Sequence, residues 1–398
     1  MELQELIDKL ESLDAIRGSF TPALLKIFLT FNFKGSDDID KMDDKDLGTF
    51  FHEYVHFLQS LSTPWGLYYN MYRYRYITSY LGQFQEAKQN NVPFQYMLPD
   101  SLKQQRALIN IGRGERYFSE QYKKSKIDTS KRIKLETKEQ LINGRNRKIA
   151  MLYVTPVNGE EETHIVGADL IMESMAALYQ ELIDSSSKDT HKDMPYNFVR
   201  KYCEQNYPIV ASDPRKLICC CYASLFSMCP GDELPKVLDF ATSHPDYDGY
   251  LIFRHFMRDK KIKYYRPQKE DKTIGVIEFT DIVIRMFKKV LTIMLSPDAQ
   301  LDYIEQVLER TKLSTGWMPI ITALYDQKPF GRSHIKTMID YLGVPYTEVS
   351  TKVESNGKPI VTGTNMPTGF QKVTPSKDVE KLKEIFDLYN AIVTGKIN

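Results

Sequence analysis

Two histidines four residues apart, His52 and His56, lie in a segment that is apolar on most of its sides. The pattern predicts a helix from about residue 44 to residue 62, and Pro64 follows shortly after its end. Positions four apart share one face of a helix, so both imidazoles can bind the same ion. Glu53 lies about 100° further around the helix, within reach of a water on that ion. This HExxH pattern therefore predicts a metal-binding helix.

The polar residues of this helix form one narrow stripe, and aromatic or aliphatic residues surround it. The stripe consists of Thr49, His52, Glu53, His56, Gln59 and Ser60. A helix that is apolar on most of its circumference is buried, and buried polar groups without partners cost several kcal/mol. A metal ion and its water would satisfy them. In the alternative interpretation the helix is half exposed and the stripe faces solvent.

A catalytic zinc site needs a third protein ligand and one open position for water. In an HExxHxxGxxH site the third ligand is a histidine, but here Gln59 and Ser62 occupy the glycine and histidine positions. We therefore expect a carboxylate from a second helix. Glu173 lies beside an apolar face in the predicted helix 167–183, and two consecutive alanines follow it that allow close packing.

Three other glutamates, Glu86, Glu115 and Glu120, are nearer in sequence and remain alternatives to Glu173. Each of them lies among polar neighbours, which is typical of solvent-facing positions.

An HExxH motif followed by a helix with Glu-x-x-Ala resembles the gluzincin group of zinc metallopeptidases. The matching positions are His52, Glu53, His56, Glu173 and Ala176. The resemblance implies that the two histidines and Glu173 bind Zn²⁺ and that Glu53 is the catalytic base. It also implies that a strand at Ile27–Phe33 is an edge strand, which pairs with an extended substrate.

The predicted elements along the chain indicate a helix-dominated α+β fold. The resemblance implies a zincin-like catalytic core with an active-site helix, an edge strand and a large insertion. We assign residues 1–185 to this core, with a basic insertion near 88–150. Residues 186–398 form a mainly helical part with a β-like segment near 344–373. Further helices are predicted at the two ends of the chain, at 1–14 and 377–392.

The insertion contains a strongly basic segment, residues 123–148, with ten basic and three acidic side chains. It lacks a long apolar face, and we expect an exposed or mobile excursion. A β-hairpin follows, because two β-like runs flank Asn158 and Gly159, a pair favoured in tight turns. His164 in this hairpin is either a surface residue or a donor to the site.

The overall charge excludes some classes of function. The 398 residues include 53 basic and 52 acidic side chains, which give a formal net charge of +1. A chain built to bind nucleic acid or a membrane surface would carry a large excess of one sign. No apolar run approaches the ~20 residues of a membrane helix. We therefore expect a peptide or protein substrate, no nucleic-acid partner and no membrane span.

The compartment is predicted from the cysteines and from the first residues. Five cysteines lie within 27 positions, and three of them are consecutive, which suits no ordinary disulfide framework. The chain starts with an acidic amphipathic segment and not with a secretion signal. Both features predict reduced thiols and a cytoplasmic location.

Together these features predict a zinc metallopeptidase that hydrolyses peptide bonds with Glu53 as general base. The alternative is a non-catalytic zincin-like interaction module. In that case the basic segment and a tyrosine-rich helix near 68–80 would bind a protein or nucleic-acid partner.

Overall fold

The computed structural model describes residues 18–21, 25–114, 126–142, 144–264, 272–294, 299–312, 319–326, 329–353, 359–360 and 362–365. The helices predicted at 1–14 and 377–392 lie outside these residues, as do the alternative ligands Glu115 and Glu120.

Helices make up most of the described structure. In the first half of the chain they are α1 (Asp44–Ser62), α2 (Pro64–Gln89), α3 (Asp100–Arg113), α4 (Ala168–Ile183) and α5 (Ser187–Thr190). They continue with α6 (Phe198–Asn206), α7 (Pro208–Ala211), α8 (Pro214–Ser224), α9 (Pro230–Ser243) and α10 (Gly249–Asp259). The last ones are α11 (Val276–Met294), α12 (Ala299–Arg310), α13 (Pro319–Thr322) and α14 (Arg332–Leu342).

The strands form small sheets. They are β1 (Gly18–Thr21), β2 (Lys26–Leu29), β3 (Lys134–Ile142), β4 (Arg145–Val154), β5 (Glu162–Val166), β6 (Lys261–Tyr264), β7 (Lys272–Gly275), β8 (Tyr346–Val349), β9 (Lys352–Val353), β10 (Pro359–Ile360) and β11 (Gly363–Asn365). The sheet orders are β1-β2-β8-β11, β3-β4-β5, β6-β7 and β9-β10. This helix-rich architecture with small sheets confirms the predicted α+β class.

The bounds of α1 follow from local chemistry at its two ends. Asp43 caps its start and accepts a hydrogen bond of 2.7 Å from the amide of Asp46. At its end the hydroxyl of Thr63 donates to the Gln59 carbonyl and accepts from the Gly66 amide, so one side chain closes α1 and caps α2. A Cβ at Gly66 would lie 2.4 Å from the carbonyl oxygen of Gln59. The tight corner between these helices therefore requires glycine.

The prediction that the strand at Ile27–Phe33 lies at a sheet edge is wrong. The strand in this part of the chain is β2, which is shorter than predicted and lies inside the sheet, antiparallel to β1 and parallel to β8. Its parallel partner β8 comes about 320 residues later in the sequence, so no local pattern could indicate it. Among the described residues, β1 lies at the edge of this sheet instead. The pairing of β2 with β8 also means that the two predicted parts share a sheet.

The second half of the basic segment, which we expected to be an exposed or mobile excursion, belongs to a β-hairpin. β3 and β4 pair in antiparallel register around Gly144, whose φ is +72°. Most side chains of β3 are exposed, as predicted for the segment. Among the described strands β3 pairs with β4 alone, and it buries few side chains, so it shows no apolar alternation in the sequence. β4 then pairs with β5, as predicted, around a turn where Asn158 has a φ of +61°.

The packing of α4 against α1 brings the two motif-bearing helices together. Ala176 and Ala177 on α4 are fully buried. On α1, a Cβ added to Gly48 would lie 3.1 Å from the Cγ of Gln180, so small residues line the contact from both sides. No helix in the described part of the chain is both long and apolar enough to cross a membrane.

Candidate metal centre

Three side chains from α1 and α4 meet at one point. The Nε2 atoms of His52 and His56 lie 3.2 Å apart, and each lies 3.3 Å from Oε2 of Glu173. Both histidines are buried, and Glu173 is half-buried. Within the described ranges this is the group whose ligand atoms are close enough to share one metal ion. The structure thus brings Glu173 to both histidines across the 117 positions that separate it from His56.

The size of this triangle can be compared with a real coordination sphere. Zinc binds imidazole nitrogens at about 2.0–2.1 Å and carboxylate oxygens at about 2.0–2.2 Å, almost always in a tetrahedron. Two corners of such a tetrahedron are separated by roughly 3.3–3.5 Å. The measured sides of 3.2, 3.3 and 3.3 Å are close to one face of it. The three residues therefore fit a tetrahedral ion such as Zn²⁺, and water would supply the fourth ligand of such an ion.

A hydrogen-bond chain orients His56. Its Nδ1–H donates to Oε1 of Gln59 over 2.9 Å, and Nε2 of Gln59 donates to the Met172 carbonyl on α4 over 3.2 Å. With the proton on Nδ1, the lone pair of Nε2 faces Glu173. Such outer partners set the tautomer and orientation of metal-binding histidines. Gln59 belongs to the predicted polar stripe, and its role becomes clear only from its contacts.

Within the cluster, the pKa values of His56 and Glu173 are shifted in opposite directions. Burial lowers the pKa of His56, but the adjacent Glu173 carboxylate, together with Glu53 and the hydrogen bond to Gln59, outweighs burial and raises this pKa to about 9. Burial raises the pKa of Glu173, but His56 and His52 offset this and hold it well below its usual range. Since metal ligands must lose their protons, a dication competes with a proton for His56, whereas Glu173 is already ionised.

Glu53 is buried beside the cluster and outside the ligand triangle. Burial raises its pKa, the two histidines partly counteract this, and the charge of Glu173 raises it further. Strand β1 packs on its stem, since a Cβ at Gly18 would lie 3.0 Å from the Cγ of Glu53. A buried carboxylate that is held by a strand and has a raised pKa suits a general base.

Two aromatic residues that sequence reasoning did not assign to the site lie beside His52. The ring centroids of His191 and Tyr196 are 6.5 and 5.9 Å from that of His52, and the two rings stack on each other at 5.1 Å. Burial, followed by the nearby His52, lowers the pKa of His191 to about 4. The only local signal for them is that His191 is one of five histidines outside the HExxH motif.

The turn that carries Tyr196 is anchored next to Glu173. The hydroxyl of Ser174 donates to the carbonyl of Pro195 over 2.9 Å, within the π-helical turn Asp193–Asn197. The same helix therefore positions the third candidate ligand and the aromatic pair.

Two other candidates, His164 and Glu86, are not part of the ligand group. His164 is buried on β5, with its Nε2 3.4 Å from Oε2 of Glu162, so the expectation of a surface position is wrong. The reason is that β5 faces the core at this position. Glu86 is exposed near the end of α2 and is not part of the ligand group.

Comparison of the chain with models of protein families, with curated proteins and with solved structures gives no match. A proposal for the function of this chain therefore depends on the geometry of the site.

Proposed function

We propose that this chain is a zinc-dependent peptidase with a gluzincin-type site, in which His52, His56 and Glu173 hold the ion and Glu53 is the general base. The observation that carries the proposal is the ligand triangle, which matches a tetrahedral face. Glu53 adjoins this triangle on the same buried helix. The zincin-like character of the core is part of the same proposal.

In the proposed hydrolysis the ion and the side chains have different roles. When bound, Zn²⁺ would acidify a water and polarise the carbonyl of the scissile peptide. Glu53 accepts the proton of the attacking water and returns it to the leaving amine. His56, fixed by Gln59, keeps its Nε2 lone pair available as a ligand. We propose the cytoplasm as the compartment, because all five cysteines are free thiols.

The test of the function combines metal analysis with proteolysis. We expect the protein purified without chelator to contain close to one zinc per chain and to cleave peptides in an unbiased library. A chelator should abolish cleavage, and added Zn²⁺ should restore it. Full zinc content without cleavage of any peptide would contradict the proposal. That result would favour the non-catalytic module, with the exposed hairpin β3–β4 as its partner-binding surface.

His191 and Tyr196 are the candidates that stabilise the oxyanion of the tetrahedral intermediate. We expect Tyr196→Phe to lower kcat by about 10²- to 10³-fold, since the loss of one oxyanion donor typically has this effect. KM and zinc content should change little. As a control, Tyr207→Phe removes a hydroxyl that donates to Asp239 outside the site, and its kcat should equal that of the wild type. Equal kcat for both variants would remove Tyr196 from the mechanism.

A further inference from the structure

A cavity of about 160 Å³ opens beside the metal cluster, and His56 and Glu173 form part of its wall. The rest of the wall includes side chains from α2, from the end of α3 and from the start of α4. These are Trp65, Tyr69, Arg73, Arg113 and Asp169. The cavity is thus continuous with the proposed reaction centre and combines aromatic with charged groups.

The two arginines of this wall differ in their partners. Nε of Arg113 donates to Oδ2 of Asp169 over 2.8 Å, so these two side chains compensate each other. Arg73 packs on an aromatic ring, with its guanidinium carbon 4.7 Å from the ring centroid of Tyr69. In the described part of the chain, no carboxylate lies within salt-bridge distance of Arg73. Outside the ligand triangle, Arg73 is therefore the charged side chain of this wall that has no ion-pair partner among the described residues.

A guanidinium in this setting selects for one kind of ligand group. Its planar donor fork matches both oxygens of a carboxylate, and a guanidinium that packs on an aromatic ring can still donate from its edge. Such charge-assisted hydrogen bonds are stronger in a partly enclosed cavity than in water. Trp65 and Tyr69 offer apolar faces to the methylene groups that carry the carboxylate.

We propose that this cavity is a substrate subsite in which Arg73 binds one carboxylate of the peptide. The inference rests on the proposed peptidase function and adds the substrate class. The carboxylate belongs either to an Asp or Glu side chain next to the scissile bond or to the C-terminus of the peptide that is released.

The experiment uses N-acetylated alanine hexapeptides in matched pairs. One set carries a single Glu or Gln at successive positions, and another ends in a free carboxylate or an amide. Cleavage is measured as kcat/KM with the zinc-loaded protein. Binding is measured by calorimetry with the zinc-loaded Glu53→Gln variant, so that it does not depend on turnover.

We expect the carboxylate form to be favoured by about 10- to 100-fold, as a hydrogen-bonded charge pair permits. Arg73→Gln should abolish this preference in both measurements, and Arg73→Lys should retain part of it. The matched control is Arg75→Gln, which removes the same charge from α2, where Arg75 donates to Gln105 and does not line the cavity. The Arg75→Gln variant should prefer the carboxylate form as strongly as the wild type does.

The outcomes separate the subsite from the peptidase function. Equal cleavage of both members of every pair, unchanged by Arg73→Gln, would overturn the subsite and leave the peptidase intact. Binding that depends on Arg73 and on the carboxylate, without any cleavage, would support the subsite and overturn the peptidase. Absence of both cleavage and binding would overturn both.

Discussion

Glu53→Gln should retain its zinc and lose about 10²- to 10⁴-fold in peptide hydrolysis, the range that general acid–base catalysis typically contributes. The amide has the shape of the carboxylate but cannot accept a proton from the attacking water. The ligand triangle does not include Glu53, so the metal should remain bound. The replacement also removes a charge that is costly to bury, so the fold should not suffer.

Three measurements check this result: zinc content, kcat on a cleaved peptide, and the thermal midpoint of unfolding. The matched control is Glu86→Gln, the same chemical change at an exposed position on α2. Wild-type kcat in Glu53→Gln, with zinc content unchanged, would show that another group takes the proton.

Glu173→Ala should release the metal and with it the activity. Two imidazoles remain, but the oxygen that completes the triangle, 3.3 Å from each Nε2 atom, is lost. Loss of an outer-shell partner typically lowers metal affinity 10- to 100-fold, and we expect a larger effect for a ligand. Zinc at 100 times its Kd stabilises a folded protein by about 2.7 kcal/mol. This stabilisation should be measurable in the wild type and absent in the variant.

Zinc titration followed by calorimetry and by thermal unfolding tests the ligand. Glu86→Ala, which truncates an exposed glutamate outside the cluster, should bind zinc as the wild type does. Unchanged zinc affinity in Glu173→Ala would refute the gluzincin-type site, even if His52→Ala and His56→Ala both lost the metal.

Much of the candidate site could be predicted because its signals are local. An Asp cap, a Thr-Pro boundary and continuous apolar flanks define α1 within a single stretch of sequence. The Asn-Gly turn predicts the hairpin β4–β5, and the apolar run after Gly167 predicts α4. In each case neighbouring residues decide the backbone conformation.

Other features depend on residues that are far apart in the chain. β2 is interior because β8 pairs with it, and the pairing energy comes from a strand about 320 residues away. Strand β3 pairs with β4 and exposes most of its side chains, so the burial pattern that reveals most strands is missing from it.

The sequence by itself therefore determined which residues can bind a metal, because two histidines one helical turn apart share a face in any helix. Only the tertiary structure decided that Glu173 completes the triangle, that His191 and Tyr196 lie beside His52, and that Arg73 lines the adjoining cavity. These contacts join separate helices and loops. Their distances depend on how α1, α2 and α4 pack, and packing is a property of the whole core rather than of any one segment.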